Sequence, residues 1–210
     1  MNETSSLFCN FTFALFAEVD LLNKRMPVQS VAIFCGSRWG ANPLFRQHAE
    51  ALGRLLAQQG ISLIYGGGKN GLMGAVADAV MAAGGIVKGV IPQVLTQWEH
   101  QHTAITELEV VEDMHVRKRR LYELCGAVVV LPGGFGTLDE LFEVLTWNVL
   151  AIHNKPVVLL NSGGFYNHLL AHLREVESSE FFYHSLEDML TVANSPEEVL
   201  AALQMSTTGH

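Results

Sequence analysis

The amino-acid sequence predicts an α/β fold in which a doubly wound, mostly parallel sheet carries helices on both of its faces. Short apolar runs alternate with helical patterns along the chain, and each run is continuously apolar. Such runs are typical of parallel strands that are buried on both sides. A chain of 210 residues that is 49% hydrophobic suits one compact domain. No repeat, low-complexity tract or clear linker indicates a second domain.

The predicted elements follow one another in strand and helix order. VAIFC (31–35) predicts the first strand, and NPLFRQHAEALGRLLAQQG predicts the first helix. ISLIY (61–65) and IVKGVI (86–91) predict the next two strands, with the helix LMGAVADAVMAAG between them. The later strands and helices are AITELEVV, DMHVRKRRLYELC, AVVVL, the helix that begins within LPGGFGTLDE, PVVLLN, GGFYNHLLAHLREV, MLTVAN and SPEEVLAAL.

Residues 1–27 are predicted to be a dispensable extension in front of a single Rossmann-like domain over residues 28–210. The stretch SLFCNFTFALFAEV within the extension is apolar but too short to span a bilayer. No basic residue precedes it and no small-residue cleavage site follows it, which argues against a signal peptide. Met26 directly precedes PVQSVAIFCGS, which has the pattern of a natural first strand.

The composition argues against several classes of partner and site. The net charge of -8 and the pI near 5.5 argue against nucleic acid and anionic membranes as partners. Cys9, Cys35 and Cys125 are widely spaced and form no CxxC motif, so neither a disulfide framework nor a zinc site is expected. This cysteine usage predicts a cytoplasmic location. The nine histidines lack the paired spacing of metal ligands, so no metal is expected.

Three glycine-rich turns follow predicted strands: CGSRWG (35–40), YGGGKNGLMG (65–74) and LPGGFGT (131–137). Parallel strands end at one edge of the sheet, where ligands of such folds bind. Glycine lets the backbone approach a ligand, and the first amides of a helix carry partial positive charge, so the turns predict a phosphate cradle. The alternative is that the glycines only turn tight corners. The candidate contacts are Gly36, Ser37, Gly67, Gly68, Gly133, Gly134, Phe135, Gly136, Thr137, Leu138 and Asp139.

The second turn contains a GxGxxG motif over residues 66–71. A dinucleotide site of this type needs an acidic residue at the end of the next strand, but that strand ends in Pro92 and Gln93. The motif is not a P-loop either, because Leu72 stands where the P-loop lysine would be. The sequence therefore favours a mononucleotide over NAD or ATP.

Arg117 falls on the inward face of its predicted helix. Met114, Leu121 and Leu124 mark that face at helical spacing. A buried guanidinium needs an anion or several acceptors, because an unpaired buried charge is costly. A phosphate at the neighbouring sheet edge is one such anion, and a core carboxylate is the alternative.

Glu140 lies in the first turn of the helix that follows LPGGFGT, close to the predicted cradle. A carboxylate there can stabilise a developing cation or activate water. The alternative is that it only complements the helix dipole, which Asp139 could do alone. The same side of the helix carries Val144, Trp147 and Ala151, so the helix is apolar on two faces. A partner subunit is the simplest cover for the second face.

Three motifs, in this order and spacing, resemble the Lonely Guy family of cytokinin-activating phosphoribohydrolases: YGGGKNGLMGAVADAV, MHVRK and PGGFGTLDE. The likeness runs from about Val31 to Asn161. It implies hydrolysis of the N-glycosidic bond of a nucleoside 5′-monophosphate, N6-modified or AMP, which releases the free base and ribose 5-phosphate. It also implies a homodimer and neither a cofactor nor a metal. Some family members carry a lysine decarboxylase label, but no pyridoxal-phosphate lysine context is visible in this sequence.

The resemblance also implies roles for individual residues. Arg117 and Glu140 fall on the family's catalytic pair, and Lys118 completes the family's RK dipeptide. Phe135 stands where many family members carry tyrosine. The implied substrate contacts include Gly134, Gly136 and Thr137 in the cradle, Thr146 within EVLTW, and Glu99.

Two other functions are compatible with parts of the sequence. A non-catalytic nucleotide or molybdopterin carrier on the same scaffold would need the cradle but not Glu140. An NAD-linked oxidoreductase would need the ribose-binding acid that is missing after IVKGVI.

Overall fold

A computed structural model describes residues 28–95 and 101–205 of the chain. The predicted extension over residues 1–27 and the predicted contact Glu99 lie outside the described residues. The strands are β1 (Ser30–Phe34), β2 (Ser62–Tyr65), β3 (Val87–Pro92), β4 (Glu107–Val111), β5 (Ala127–Val130), β6 (Val157–Leu160) and β7 (Thr191–Ala193). The α-helices are α1 (Pro43–Gln58), α2 (Gly71–Ala82), α3 (Met114–Leu124), α4 (Phe135–Val149), α5 (Asn167–Ser178), α6 (Leu186–Met189) and α7 (Pro196–Met205). Short 3₁₀ helices follow β3 and β6 at Gln93–Leu95 and Ser162–Gly164.

The described strands form one parallel sheet in the order β4-β3-β2-β1-β5-β6-β7. β1 lies in the middle, so that Ala32 stands opposite Ile64 on one side and Val128 on the other. Helices α1, α2 and α7 cover one face, whereas α3, α4, α5 and α6 cover the other. None of these helices is both long and apolar enough to cross a membrane. The arrangement confirms the predicted doubly wound α/β fold.

The core consists of two apolar layers, one on each face of the sheet. Along β1, Val31 and Ile33 point into the layer under α1 and α2, whereas Ala32 and Phe34 point into the layer under α3 and α4. All four side chains are almost fully buried. Burying a Val, Ile or Phe side chain stabilises a fold by about 1.5–3 kcal/mol. Burial on both faces therefore explains why the strands are continuously apolar in sequence.

The two helices that carry Arg117 and Glu140 begin in different ways. Asp113 accepts hydrogen bonds from the backbone amides of His115 (2.8 Å) and Val116 (2.9 Å), which starts α3 one turn before Arg117. Helix α4 has Gly134 as its N-cap residue, and glycine provides no side-chain oxygen. The first amides of α4 are therefore left for another acceptor.

The second apolar face of α4 is covered differently from what the sequence predicts. Val144 is fully buried against the sheet, and the Trp147 ring packs on Tyr122 with 5.0 Å between the ring centroids. The expectation that a partner subunit covers this face is therefore wrong for Val144, whereas Trp147 is covered in part by its own chain. The expectation failed because α4 packs against two surfaces of its own chain, the sheet and helix α3. A third side of the helix, which carries Phe142 and Leu150, is exposed.

Candidate active site

At the crevice between β1 and β5, the connections that follow the two strands leave the sheet toward opposite faces. After β1 the chain passes to α1 on one face, and after β5 it passes to α4 on the other. Ligands of doubly wound folds bind at such a switch point, beyond the carboxyl ends of the strands. The first and third glycine-rich turns both lie at this crevice.

Backbone hydrogen bonds join the three glycine-rich turns into one surface. The Gly36 amide donates to the Pro132 carbonyl of the third turn (3.0 Å), and the Leu72 amide of the second turn donates to the Gly36 carbonyl (3.0 Å). Gly71 has a φ of +61° and lies so close to the Ser37 backbone that a Cβ atom at position 71 would overlap it. The turns therefore lie side by side, with Gly36 between the other two.

The start of α4 leaves open space for an anion. The first helical hydrogen bond runs from the Leu138 amide to the Gly134 carbonyl (3.1 Å). The amides of Phe135, Gly136 and Thr137 therefore have no acceptor inside the helix. A Cβ atom added at Gly134 or Gly136 would meet no other atom within 4 Å. Three amides with partial positive charge and open space in front of them suit a phosphate group.

Gly133 and Thr137 pack against each other in the third turn. The Thr137 side chain is buried and lies against the Cα of Gly133, where any Cβ atom would overlap it. This contact explains the glycine at position 133 by close packing rather than by the approach of a ligand. Glycine is thus required at different positions of this turn for different physical reasons.

A cavity of about 230 Å³ occupies the crevice between the first and third turns. Ligand pockets commonly enclose about 300–1,000 Å³, so a cavity slightly below that range suits a small molecule. Phe165 follows β6 at the same sheet edge. The sequence GGF shortly after the strand PVVLLN resembles the glycine-rich turns at the other strand ends, and this likeness could have indicated Phe165 as a lining residue. The lining residues that were predicted as contacts are Gly36, Ser37, Gly133 and Gly134, and those that were not are Arg38, Trp39, Gly40, Phe45, Leu72, Pro132 and Phe165.

Arg117 and Glu140 form a buried pair beside these turns. Arg117 Nη2 lies 3.9 Å from Glu140 Oε1, and only 9% and 12% of the two side chains are exposed. This distance is too long for a hydrogen bond. The Arg117 guanidinium lies directly against Gly66, where a Cβ atom would overlap Nη2. The sequence analysis gave two alternative partners for Arg117, a core carboxylate and a phosphate at the sheet edge. In the structure the Glu140 carboxylate lies at that sheet edge, so the two alternatives coincide in one place.

Burial raises the pKa of Glu140 to about 7. Arg117 and Lys118 oppose this increase because their positive charges favour the carboxylate, whereas Asp139 and Glu143 add to it. The Cys35 thiol also lies nearby: burial raises its pKa, and the charge of Glu140 raises it further. Glu140 can therefore exchange a proton near neutral pH.

Lys118 is held by two carboxylates of α4. Its Nζ lies 2.7 Å from Asp139 Oδ2 and 3.2 Å from Glu143 Oε1. Tyr122, one turn further along α3, has its hydroxyl 3.1 Å from Glu143 Oε2 and 3.3 Å from the carbonyl oxygen of Glu140. These contacts join α3 to α4 directly beside the Arg117 and Glu140 side chains. Asp139, a predicted substrate contact, is thus engaged by Lys118.

Phe135 and Thr146 lie on the outer side of α4. Phe135 is 93% exposed at the tip of the third turn. The Thr146 hydroxyl is exposed and donates to the Phe142 carbonyl (2.7 Å). Thr146 stands about 9 Å along the helix axis from Glu140, so the structure does not bring it to the first turn of α4. Leu138 is half-buried and packs against the core.

Gly67 and Gly68 are buried beneath a neighbouring segment of the chain. The Gly67 carbonyl accepts a hydrogen bond from the His102 amide (2.9 Å), and Gly68 forms an isolated antiparallel bridge with Gln101. The exposed part of the second turn begins at Lys69. Gly67 and Gly68, which were predicted as contacts, therefore belong to the joined glycine-rich turns, but residues 101 and 102 cover them.

Within residues 28–95 and 101–205, no group of three or more His, Cys, Asp or Glu side chains is placed to hold a metal ion. Cys35 and Cys125 are free and buried.

Comparisons with known proteins agree on one family. The family model described as "Possible lysine decarboxylase" matches residues 73–203. The chain is 42% identical over 177 residues to the cytokinin riboside 5′-monophosphate phosphoribohydrolase of Rhodococcoides fascians, a match that covers 84% of this chain and 89% of that protein. It is 41% identical over 174 residues to the cytokinin riboside 5′-monophosphate phosphoribohydrolase LOG7 of Arabidopsis thaliana, with 83% and 80% covered.

Solved structures with low sequence identity share the fold. The molybdenum cofactor binding protein of Rippkaea orientalis has a TM-score of 0.65 at 23% identity, with 86% of this chain and 98% of that chain covered. The molybdenum cofactor carrier protein of Chlamydomonas reinhardtii has a TM-score of 0.62 at 20% identity, with 84% and 96% covered. At this identity the likeness shows the doubly wound fold alone.

The assignment of the chain to a family rests on sequence similarity over most of its length. The family model spans the third glycine-rich turn and both members of the Arg117 and Glu140 pair, and the bacterial and plant relatives, which each match more than four fifths of the chain, both carry hydrolase names. The decarboxylase description belongs to the family model. The resemblance of the three motifs is thereby confirmed, and the chain belongs to the Lonely Guy family of cytokinin riboside 5′-monophosphate phosphoribohydrolases.

Proposed function

We propose that this protein hydrolyses the N-glycosidic bond of N6-modified adenine nucleoside 5′-monophosphates, and so releases the free base and ribose 5-phosphate. One observation carries the proposal. A buried carboxylate, Glu140, stands 3.9 Å from Arg117 at the sheet edge where three glycine-rich turns meet. Relatives that are named for this reaction support it.

The 5′-phosphate binds at the start of α4 in the proposed complex. The amides of Phe135, Gly136 and Thr137 donate hydrogen bonds to its oxygens, and the open space at Gly134 and Gly136 admits it. A helix N-terminus favours a phosphate through its partial positive charge. The nucleotide then extends along the crevice toward Arg117 and Glu140.

Glu140 acts at C1′ of the ribose. The C1′–N9 bond breaks with its electron pair leaving on the purine, so that C1′ acquires oxocarbenium character. The Glu140 carboxylate faces this charge and takes a proton from the attacking water, whose oxygen bonds to C1′. The departing purine takes up a proton from solvent water, and Glu140 afterwards returns its proton to solvent, so that the reaction consumes one water in total. Arg117 either balances the charges of the phosphate and Glu140 or donates to the leaving purine, and its position suits both roles.

Base release is expected to depend on pH through Glu140. The carboxylate form is required, and it is the minor form below about pH 7. We expect kcat to rise about tenfold per pH unit below this pKa and to level off above it. The measurement is kcat from about pH 5 to 9. A flat profile over that range would contradict the role of Glu140 as a carboxylate near its pKa.

A panel of nucleotides tests the reaction itself. N6-isopentenyladenosine monophosphate, AMP and the corresponding nucleosides without phosphate are incubated with the protein, and the free base is quantified. Base release from the monophosphates, but not from the nucleosides, supports the proposal. Nucleotide binding without base release would instead support the carrier function.

We further propose that the protein is a homodimer that uses the exposed side of α4. Phe135, Phe142, Thr146 and Leu150 follow one another along this side, and the three apolar members are 93%, 42% and 63% exposed. Apolar stripes of this kind usually mark protein interfaces. The stripe begins at the third turn, so a second copy on this side would lie beside the active site.

Leu150→Glu is expected to dissociate the dimer because it places a charge in the apolar interface. The measurement is the molar mass in solution by light scattering, and a shift toward the monomer is the expected result. Phe181→Glu is the matched control, since Phe181 is 77% exposed but lies after α5. A dimer that persists unchanged in Leu150→Glu would show that this side of α4 is not the interface.

The remaining expectations concern partners and location. The net charge of -8 argues against nucleic acid and anionic membranes as partners. The buried free thiols of Cys35 and Cys125 suit a reducing cytoplasm.

A further inference from the structure

We propose that Glu143 is a positioning residue of the active site, which holds Lys118 and Tyr122 and thereby sets the separation between Arg117 and Glu140. The inference rests on the proposed function, because it assigns Glu143 a part in that reaction.

Glu143 uses both oxygens of its carboxylate to join α4 to α3. Lys118 Nζ lies 3.2 Å from Oε1, and the Tyr122 hydroxyl lies 3.1 Å from Oε2. Lys118 and Tyr122 are four residues apart, so they lie one above the other on α3. Asp139 and Glu143 lie in the same way on α4, and Lys118 contacts both of them. We call these four side chains the α3–α4 clamp.

The catalytic pair does not fix its own geometry. Hydrogen bonds between nitrogen and oxygen span about 2.7–3.2 Å, whereas Arg117 Nη2 lies 3.9 Å from Glu140 Oε1. Arg117 Nε is buried without a hydrogen-bond partner among the described residues. The spacing is therefore set by the helices, and the α3–α4 clamp is their nearest connection. Lys118 directly follows Arg117, and Asp139 directly precedes Glu140.

Tyr122 extends the clamp to the backbone of Glu140. Its hydroxyl lies 3.3 Å from the Glu140 carbonyl oxygen, as well as 3.1 Å from Glu143. The Tyr122 ring is buried and packs against Phe34 and Trp147, with centroids 6.0 Å and 5.0 Å away. A ring held on several sides gives the hydroxyl a fixed position, from which its single proton reaches the Glu143 carboxylate or the Glu140 carbonyl oxygen.

Glu143 also acts on Glu140 through its charge. Its carboxylate lies one helical turn beyond Glu140 and raises the pKa of Glu140, although burial is the main cause of that increase. Removing the negative charge at position 143 should therefore lower the pKa of Glu140. The titratable or charged groups that face Glu140 are Arg117, Lys118 and Tyr122 from α3, Cys35 from the end of β1, and Asp139 and Glu143 from α4 itself.

Glu143→Gln and Tyr122→Phe separate the two effects. Glutamine keeps the size of the side chain and an acceptor for Tyr122 but loses the charge. We expect kcat to fall about tenfold, and the rising part of the pH profile to move to lower pH. Phenylalanine removes the hydroxyl but keeps the charge of Glu143. We expect a similar fall in kcat for Tyr122→Phe, with a smaller shift of the pH profile.

Glu109→Gln is the matched control. Glu109 lies on β4 and pairs with Arg120 of α3 at 2.9 Å; among the described residues the ion pairs of Arg120 are with Glu109 and Glu123, not with Glu140. We expect wild-type kcat and a wild-type pH profile for this variant.

Three results would overturn the inference. Glu143→Gln with wild-type kcat and pH profile would leave Glu143 a purely structural role, even if its melting temperature falls. If Glu143→Gln does not fold, Tyr122→Phe decides alone, and wild-type kcat in Tyr122→Phe overturns the inference. If wild-type protein releases no base from any nucleotide, the proposed function fails, and the inference fails with it.

Discussion

The Glu140→Gln protein is expected to bind nucleoside 5′-monophosphates normally but to release base at least about 1,000-fold more slowly than wild type. An amide has the size of the carboxyl group, so the crevice and the start of α4 keep their shape. It carries no negative charge to face the oxocarbenium-like sugar, and it cannot take a proton from water. The measurements are kcat for base release and the dissociation constant for AMP by calorimetry.

The stability of Glu140→Gln distinguishes lost chemistry from lost structure. Burial raises the folded-state pKa from 4.5 to about 7. The folded protein therefore binds this proton more tightly than the unfolded chain does. The corresponding stability is present below about pH 4.5 and is lost as the pH rises through about 7. Glutamine does not ionise, so the variant is expected to melt at the wild-type temperature or higher at about pH 8.

Glu50→Gln is the control for Glu140→Gln. Glu50 pairs with Arg46 at the surface of α1, and its substitution should change neither turnover nor nucleotide binding. Wild-type turnover in Glu140→Gln would remove Glu140 from the mechanism.

Gly66→Ala is expected to lower kcat about 100-fold while the protein stays folded. A Cβ atom at this position would overlap Arg117 Nη2, so the guanidinium must move. Because Arg117 is buried beside Glu140, that movement changes the geometry of the pair. The added methyl group meets the end of a side chain, and no backbone collision forces the turn to unfold. The measurements are kcat and the melting temperature.

Gly126→Ala is the control, because Gly126, like Gly66, lies directly beside a strand of the sheet. A Cβ atom there would lie 3.5 Å from the Ser30 carbonyl oxygen and 3.8 Å from the Val28 side chain, which are ordinary contacts, and would meet no atom of Arg117. This variant should keep wild-type kcat. Unchanged kcat in Gly66→Ala would mean that the observed position of Arg117 is not needed for turnover.

The fold could be predicted from the sequence because strands that are buried on both faces of a sheet appear as continuous apolar runs. A strand such as Val31–Phe34 has no polar face to alternate, and the helices between the strands have one apolar side. The same reasoning failed for Val144, which its own chain buries completely. A periodic pattern shows that a helix has two apolar faces, but it does not show that both are covered by the same chain.

The candidate active site was predictable in part. Arg117 and Glu140 were each conspicuous in sequence, as a charge on an inward helix face and an acid after a glycine-rich turn. Trp39 and Phe165 of the cavity wall were not predicted, although Trp39 lies in the first glycine-rich turn and Phe165 follows two glycines after a strand, because an aromatic residue at such a place is as common in ordinary packing as in a site. Only the shared sheet edge brings them together.

The sequence by itself determined the doubly wound architecture, the three glycine-rich turns and the two ionisable residues beside them. Each of these features is local: it follows from periodicity, from backbone freedom or from the cost of a buried charge. The tertiary structure decided the 3.9 Å separation of Arg117 and Glu140, the raised pKa of Glu140 and the contacts of Glu143. These depend on how closely α3 and α4 approach each other and how far water is excluded between them. Such distances arise from the packing of segments that are remote in sequence, and no local pattern encodes them.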